Sequence, residues 1–151
     1  MRDECATRKF DMKIFRIAAV GVALSIGIAS AQMPETTAPA TAKAYFVNLK
    51  DGDTVTRPVK IVMGLSGMGI APAGIEFPDT GHHHLIVDAP TPPAGQVIAA
   101  DANHVHFGKG QTETTLDLAP GRHTLQLVLG DRNHVPHKPA VASDVITITV
   151  R

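Results

Sequence analysis

Seven of the chain's eight histidines fall in three clusters: His82-His83-His84, His104-Val105-His106 and His134-Val135-Pro136-His137. Neutral imidazole is the commonest protein ligand for a transition metal, and it needs no reduced thiol. Residues i and i+2 of a strand point to one face, so a His-x-His pair can offer two nitrogens to one ion. The candidate metal ligands are therefore His82, His84, His104, His106, His134 and His137, four of which suffice for one ion, with copper expected first and zinc second. Met63 and Met68 precede the first cluster and could add a thioether for Cu(I), although methionine in a β-rich core is ordinarily filler. The other reading of the same histidines is a hydrogen-bonded polar rim at strand ends, flanked by Gly81 and by Gly108-Lys109-Gly110.

No catalytic residue is assigned. A Gly-x-Ser-x-Gly elbow is missing, Gly108 to Thr112 lacks the spacing of a phosphate loop, and the single cysteine is Cys5. The carboxylate pairs Asp88 with Asp101 and Asp51 with Asp53 read as turn residues that bond their own backbone. His104 to Gly108 resembles the His-Val-His strand of the copper/zinc superoxide dismutases over five residues. That family's disulfide has no cysteines here, and its bridging-histidine loop and arginine lid cannot be placed, so this activity is not expected.

The elements that must hold these residues are strands. Thirteen glycines, eleven prolines and no tryptophan among 151 residues favour turns, and no stretch sustains a helical period. Short alternating segments run through Ala44 to Leu49, Val55 with Val59 to Leu65, His83 to Val87, His104 to Phe107, Thr112 to Leu118, Thr124 to Leu129 and Val145 to Val150. They predict an all-β fold, an immunoglobulin-like antiparallel β-sandwich of about seven strands, with a small all-β barrel as the alternative. If Leu85 and Val87 face the core, His82 and His84 face away from it; burying Val105 and Phe107 likewise turns His104 and His106 outward. His123 lies on the core side of its strand, at the rim, and reads as structural.

Residues 1–31 read as a secretory signal peptide. Arg8, Lys9, Lys13 and Arg16 precede an apolar run from Ile17 to Ala29 and the small-residue site Ala29-Ser30-Ala31. The run is too short to span a bilayer, and Met12 offers an alternative start with a compact charged head. Residues 32–43, rich in Pro, Thr and Ala, are expected as a flexible linker, and 44–151 as a single β-sandwich domain. A periplasmic or secreted monomer without a membrane anchor is expected. From residue 32 onward nine Lys/Arg stand against eleven Asp/Glu, with no cysteine and no basic stripe. Nucleic acid is therefore not an expected partner, and no disulfide can staple the fold.

Four stretches together carry a resemblance: Gly64 to Gly74, Thr80 to Asp88, Asn103 to Thr114, and His123 to Asp131 with His134, Pro136 and His137. They resemble domain-of-unknown-function family 4399 over about Ala44 to Val150. The resemblance implies a small exported bacterial protein of that domain type and brings no activity with it. Some such proteins carry a rod-shape-determining label, but a polytopic protein of that kind needs many membrane spans, which residues 32–151 do not offer. Two functions stay open: binding of copper or zinc through the clustered histidines, or non-catalytic recognition of a cell-envelope protein or glycan with structural histidines.

Overall fold

A computed structural model describes residues 34–151. The expected signal peptide and the first two linker residues lie outside them. Nine strands form: β1 (Lys43–Phe46), β2 (Thr54–Val55), β3 (Val59–Ser66), β4 (Gly69–Ile70), β5 (Thr80–Val87), β6 (His104–His106), β7 (Glu113–Leu116), β8 (Gly121–Gly130) and β9 (Ile146–Val150). The described residues contain no helix, hence none long and apolar enough to cross a membrane. The seven alternating segments supply seven of the strands. Val55, grouped with Val59 to Leu65 in the sequence, falls in a separate two-residue β2, and β4 is an addition; they pair parallel to β9 and β5 and are too short to show a period.

The strands form two sheets, β1-β3-β7 and β2-β9-β8-β5-β4, with β6 also paired to β5. Their inner faces meet in one core of Ala44, Val59, Ile61 and Met63 from the first sheet and Leu85, Val87, Leu125, Leu127, Ile146, Ile148 and Val150 from the second. This is the sandwich that alternation predicts, since each contributing strand turns every second residue inward. Leu85 lies opposite Leu127 and Val87 opposite Leu125, so the inward set of β5 is fixed by its partner as well as by its own pattern.

The outer face of β5 is not open to water. Ile86 packs there with Val128 of β8 and with Ile98 from the long connection before β6, and Ile98 N–H donates to the His134 carbonyl at 2.8 Å. His82 and His84 share this face and are fully buried. Alternation aims them away from the core, and a roof of loops then encloses them.

The described part of the segment expected as a linker is bonded to the domain. Thr37 bridges Lys138 in parallel, Ala38 N–H donates to the Lys138 carbonyl at 2.9 Å, and Lys138 N–H donates to the Thr36 carbonyl at 2.9 Å. Ala38 is buried against Leu129 and Val141. Two backbone bonds and one buried methyl tie this segment down despite a composition typical of linkers.

Candidate metal centre

β5 places His82 and His84 two residues apart on the roofed face, and β6 sets His106 directly opposite His84. Side chains facing each other across an antiparallel pair come within contact distance, so the two strands alone bring three imidazoles together. Nitrogen atoms of His82, His84 and His106 all lie within 4.8 Å of one another, and the His82 and His84 Nε2 atoms are 3.1 Å apart. These three histidines form a group that could hold a metal ion. The His134 ring closes over them, its centroid 5.0 Å from His82, 5.8 Å from His84 and 4.7 Å from His106.

Close backbone approach makes room for these rings. A Cβ at Gly130 would lie 2.9 Å from His84 Nε2, and one at Gly108 would overlap the His106 ring. Only glycine fits at either position without displacing a ligand candidate. His134 itself is held at φ +66°, a left-handed conformation that is uncommon for a non-glycine residue and marks local constraint.

Burial sets the protonation state. It pushes the His82 imidazole down to about 4, with the charges of His134 and His106 adding to the effect. Burial, with His82 and His106 beside it, pushes His84 down to about 3. His106 is lowered by burial and then by His134. The three are therefore neutral at neutral pH, the state in which imidazole ligates. His82 Nδ1, His84 Nδ1 and His106 Nε2 are buried with no hydrogen-bond partner. An orphaned buried nitrogen costs roughly 1–3 kcal/mol, so this group sits in its neutral form with unsatisfied donor and acceptor capacity.

The remaining candidates sit elsewhere. His104 shares a face with His106, but it lies opposite Ile86, and its Nδ1 bonds Asp101 Oδ1 at 2.8 Å. The same carboxylate oxygen accepts the N–H groups of Asn103 and His104, so a local turn claims this ring. His137 is buried at the end of β5, where a Cβ on Gly81 would lie 2.9 Å from its Nε2; neither ring nitrogen has a hydrogen-bond partner, and burial lowers its pKa. Neither His104 nor His137 belongs to the ring cluster formed by His82, His84, His106 and His134. Met63 lies in the inner core, and Met68 packs against Leu129 and Val141, so both act as filler and no thioether joins the group.

His83 points to the inner side of β5, fully buried, with both nitrogens unpartnered, and burial pushes it down to about 4. His123 has the structural role its position suggests. Its Nδ1 meets Asp88 Oδ2 at 2.7 Å and its Nε2 meets the Ala119 carbonyl at 2.8 Å. Both partners are acceptors, so the ring donates from both nitrogens as imidazolium, and the Asp88 bond raises its pKa.

One residue of the centre escaped the sequence reading. Asp131 is buried, and its Oδ1 accepts the N–H groups of Asn133 at 2.8 Å and Val135 at 3.0 Å, which shapes the loop under His134. The run Gly130-Asp131-Arg132-Asn133-His134 carries the signal that would have found it, an aspartate two residues ahead of a turn.

No curated protein and no solved structure matches the chain. The family described as a domain of unknown function (DUF4399) matches residues 61–151, a span that contains His82, His84, His106 and His134 of the ring cluster and both glycines beside them, and the chain belongs to that family.

Proposed function

We propose that this is an exported metal-binding protein that holds one copper or zinc ion through His82, His84 and His106, with His134 as fourth ligand. The observation that carries this reading is the 3.1 Å between the His82 and His84 Nε2 atoms. Two nitrogens sharing one ion at about 2.0–2.1 Å lie about 2.9 Å apart at a right angle and about 3.4 Å apart at the tetrahedral angle. The pair is already at chelating separation. An ion there would also give a partner to His106 Nε2, which is otherwise buried and unpartnered. The all-nitrogen set, with both methionines packed elsewhere, favours Cu(II) or Zn(II) over Cu(I). Export to the periplasm or beyond is supported by the charged head, apolar run and small-residue site of residues 1–31.

The test is metal content by mass spectrometry on protein purified without a His tag, then titration of the stripped protein with Cu(II) and Zn(II). One ion per chain is expected, lost in a folded His82→Ala/His106→Ala variant. A saturating ion at about 100-fold its dissociation constant should stabilise the fold by about 2.7 kcal/mol. No bound metal and dissociation constants weaker than about 10 μM would overturn the reading.

A second reading, recognition of a cell-envelope protein or glycan, is supported by a separate feature. Phe77, 68% exposed, and Ile75, 54% exposed, flank a cleft of ≈ 380 Å³ that Thr36, Glu76, Asp79 and Arg132 also line. Under that reading Phe77→Ser, and not the histidine variants, removes the activity.

A further inference from the structure

The three strand histidines and His134 are positioned by different means. His82, His84 and His106 are set by the β5–β6 ladder, whereas His134 depends on the loop built on Asp131. Besides the two N–H groups held by Oδ1, the Asp131 N–H donates to the Val135 carbonyl at 2.9 Å, and its carbonyl accepts the His134 N–H at 2.9 Å. These bonds hold His134 in its left-handed conformation against the three rings. The second carboxylate oxygen, Oδ2, accepts the Thr36 hydroxyl at 2.7 Å.

Thr36 lies outside the family-matched span, in the segment expected as a linker. That segment meets the loop at both ends, at Asp131 through the Thr36 hydroxyl and at Lys138 through the Thr36 carbonyl and the Ala38 N–H. A Glu35–Lys138 ion pair at 3.2 Å adds to the second contact. The segment is therefore a strap across the loop that carries the fourth imidazole. A carboxylate bonded through both oxygens has a fixed rotation; with Oδ2 released, the Oδ1 bonds under His134 lose their direction.

Resting on the metal-binding reading, we propose that Asp131 is the positioning residue for His134 and that the Thr36 hydroxyl holds it in that role, so that docking of the Glu35–Ala38 strap decides whether the ion has three histidine ligands or four. Release of the strap opens one coordination position and weakens the hold on the ion without dismantling the three-histidine platform. Exchange of metal with a partner is then controlled from outside the family-matched span.

The experiment uses the full mature chain, with Cu(II) for affinity and Co(II) for its visible absorption, which reports coordination number. Thr36→Val removes the donor and keeps the shape; Thr36→Ser keeps the hydroxyl. Thr36→Val and His134→Ala should each bind one ion about 10-fold more weakly than wild type, with the same altered Co(II) spectrum. Thr36→Ser should match wild type, and the double variant should be no weaker than His134→Ala alone. Wild-type affinity and spectrum in Thr36→Val would overturn the proposal, as would additive losses in the double variant, which would make Thr36 a general stabiliser of the fold. A wild-type chain that binds neither ion fails earlier, at the metal-binding reading, and takes this inference with it.

Discussion

Gly130 stands against His84 on the roofed face of the larger sheet: a Cβ at position 130 would lie 2.9 Å from His84 Nε2 and 3.4 Å from the His134 Cα. A hydrogen in place of a methyl is thus what lets the β5 imidazole of His84 and the loop residue His134 share one space.

Gly130→Ala should accordingly separate the two rings. Overpacking a closed site costs about 1–3 kcal/mol, and here the displaced atoms include His84 Nε2. We expect urea unfolding to show a loss of that order and Cu(II) titration to show weaker binding. Unchanged affinity in Gly130→Ala would mean that His84 and His134 do not act on the same ion.

The buried histidines predict an acid-sensitive fold. His83 titrates near 4 when folded, against about 6.5 in the unfolded chain. Between those values the unfolded chain takes up a proton that the fold refuses, so stability falls as pH drops from 6.5 toward 4 and is unaffected above that range. His82 and His84 act in the same sense. On stripped protein the contribution of His83 should be on the order of 2 kcal/mol between pH 8 and pH 5. His83→Leu should flatten part of the dependence of the urea midpoint on pH without touching the ring cluster; an unaltered slope would show that His83 takes up its proton as readily in the fold as in the unfolded chain.

His123 predicts the opposite sign. Its pKa is raised by Asp88, so its contribution is complete below about 6.5 and is lost as pH rises through the folded value. Asp88 sits at φ +52°, which asparagine tolerates, so Asp88→Asn removes the charge and keeps the turn. The variant should lose about 1 kcal/mol at pH 6 and less above pH 8, with the His123 ring proton titrating lower by NMR. An unmoved His123 titration would mean that the Ala119 carbonyl alone sustains the imidazolium.

Alternation at period two was enough to predict the sandwich and the faces of β5 and β6, because side-chain direction in a strand is local: Leu85 and Val87 inward require His82 and His84 outward. The same rule applied to His104 and His106 alike and could not choose between them. Strand register chose, setting His106 opposite His84 and His104 opposite Ile86, where Asp101 claims the ring. Burial of the centre was also beyond local pattern. It comes from Ile98 and the Asp131–His137 loop folding over an outer face that a sandwich would otherwise leave in water. Composition marks the residues around Thr36 as a linker; the contacts that hold part of it, one hydroxyl on a buried carboxylate and two backbone bonds to Lys138, are long-range and leave no mark on a Pro/Thr/Ala sequence. The sequence by itself determined which residue types could ligate an ion and which way each strand presents them. Long-range register, loop closure and the fit of Gly108 and Gly130 against the rings decided which histidines meet, because those contacts join residues far apart in the chain and leave no periodic trace within it.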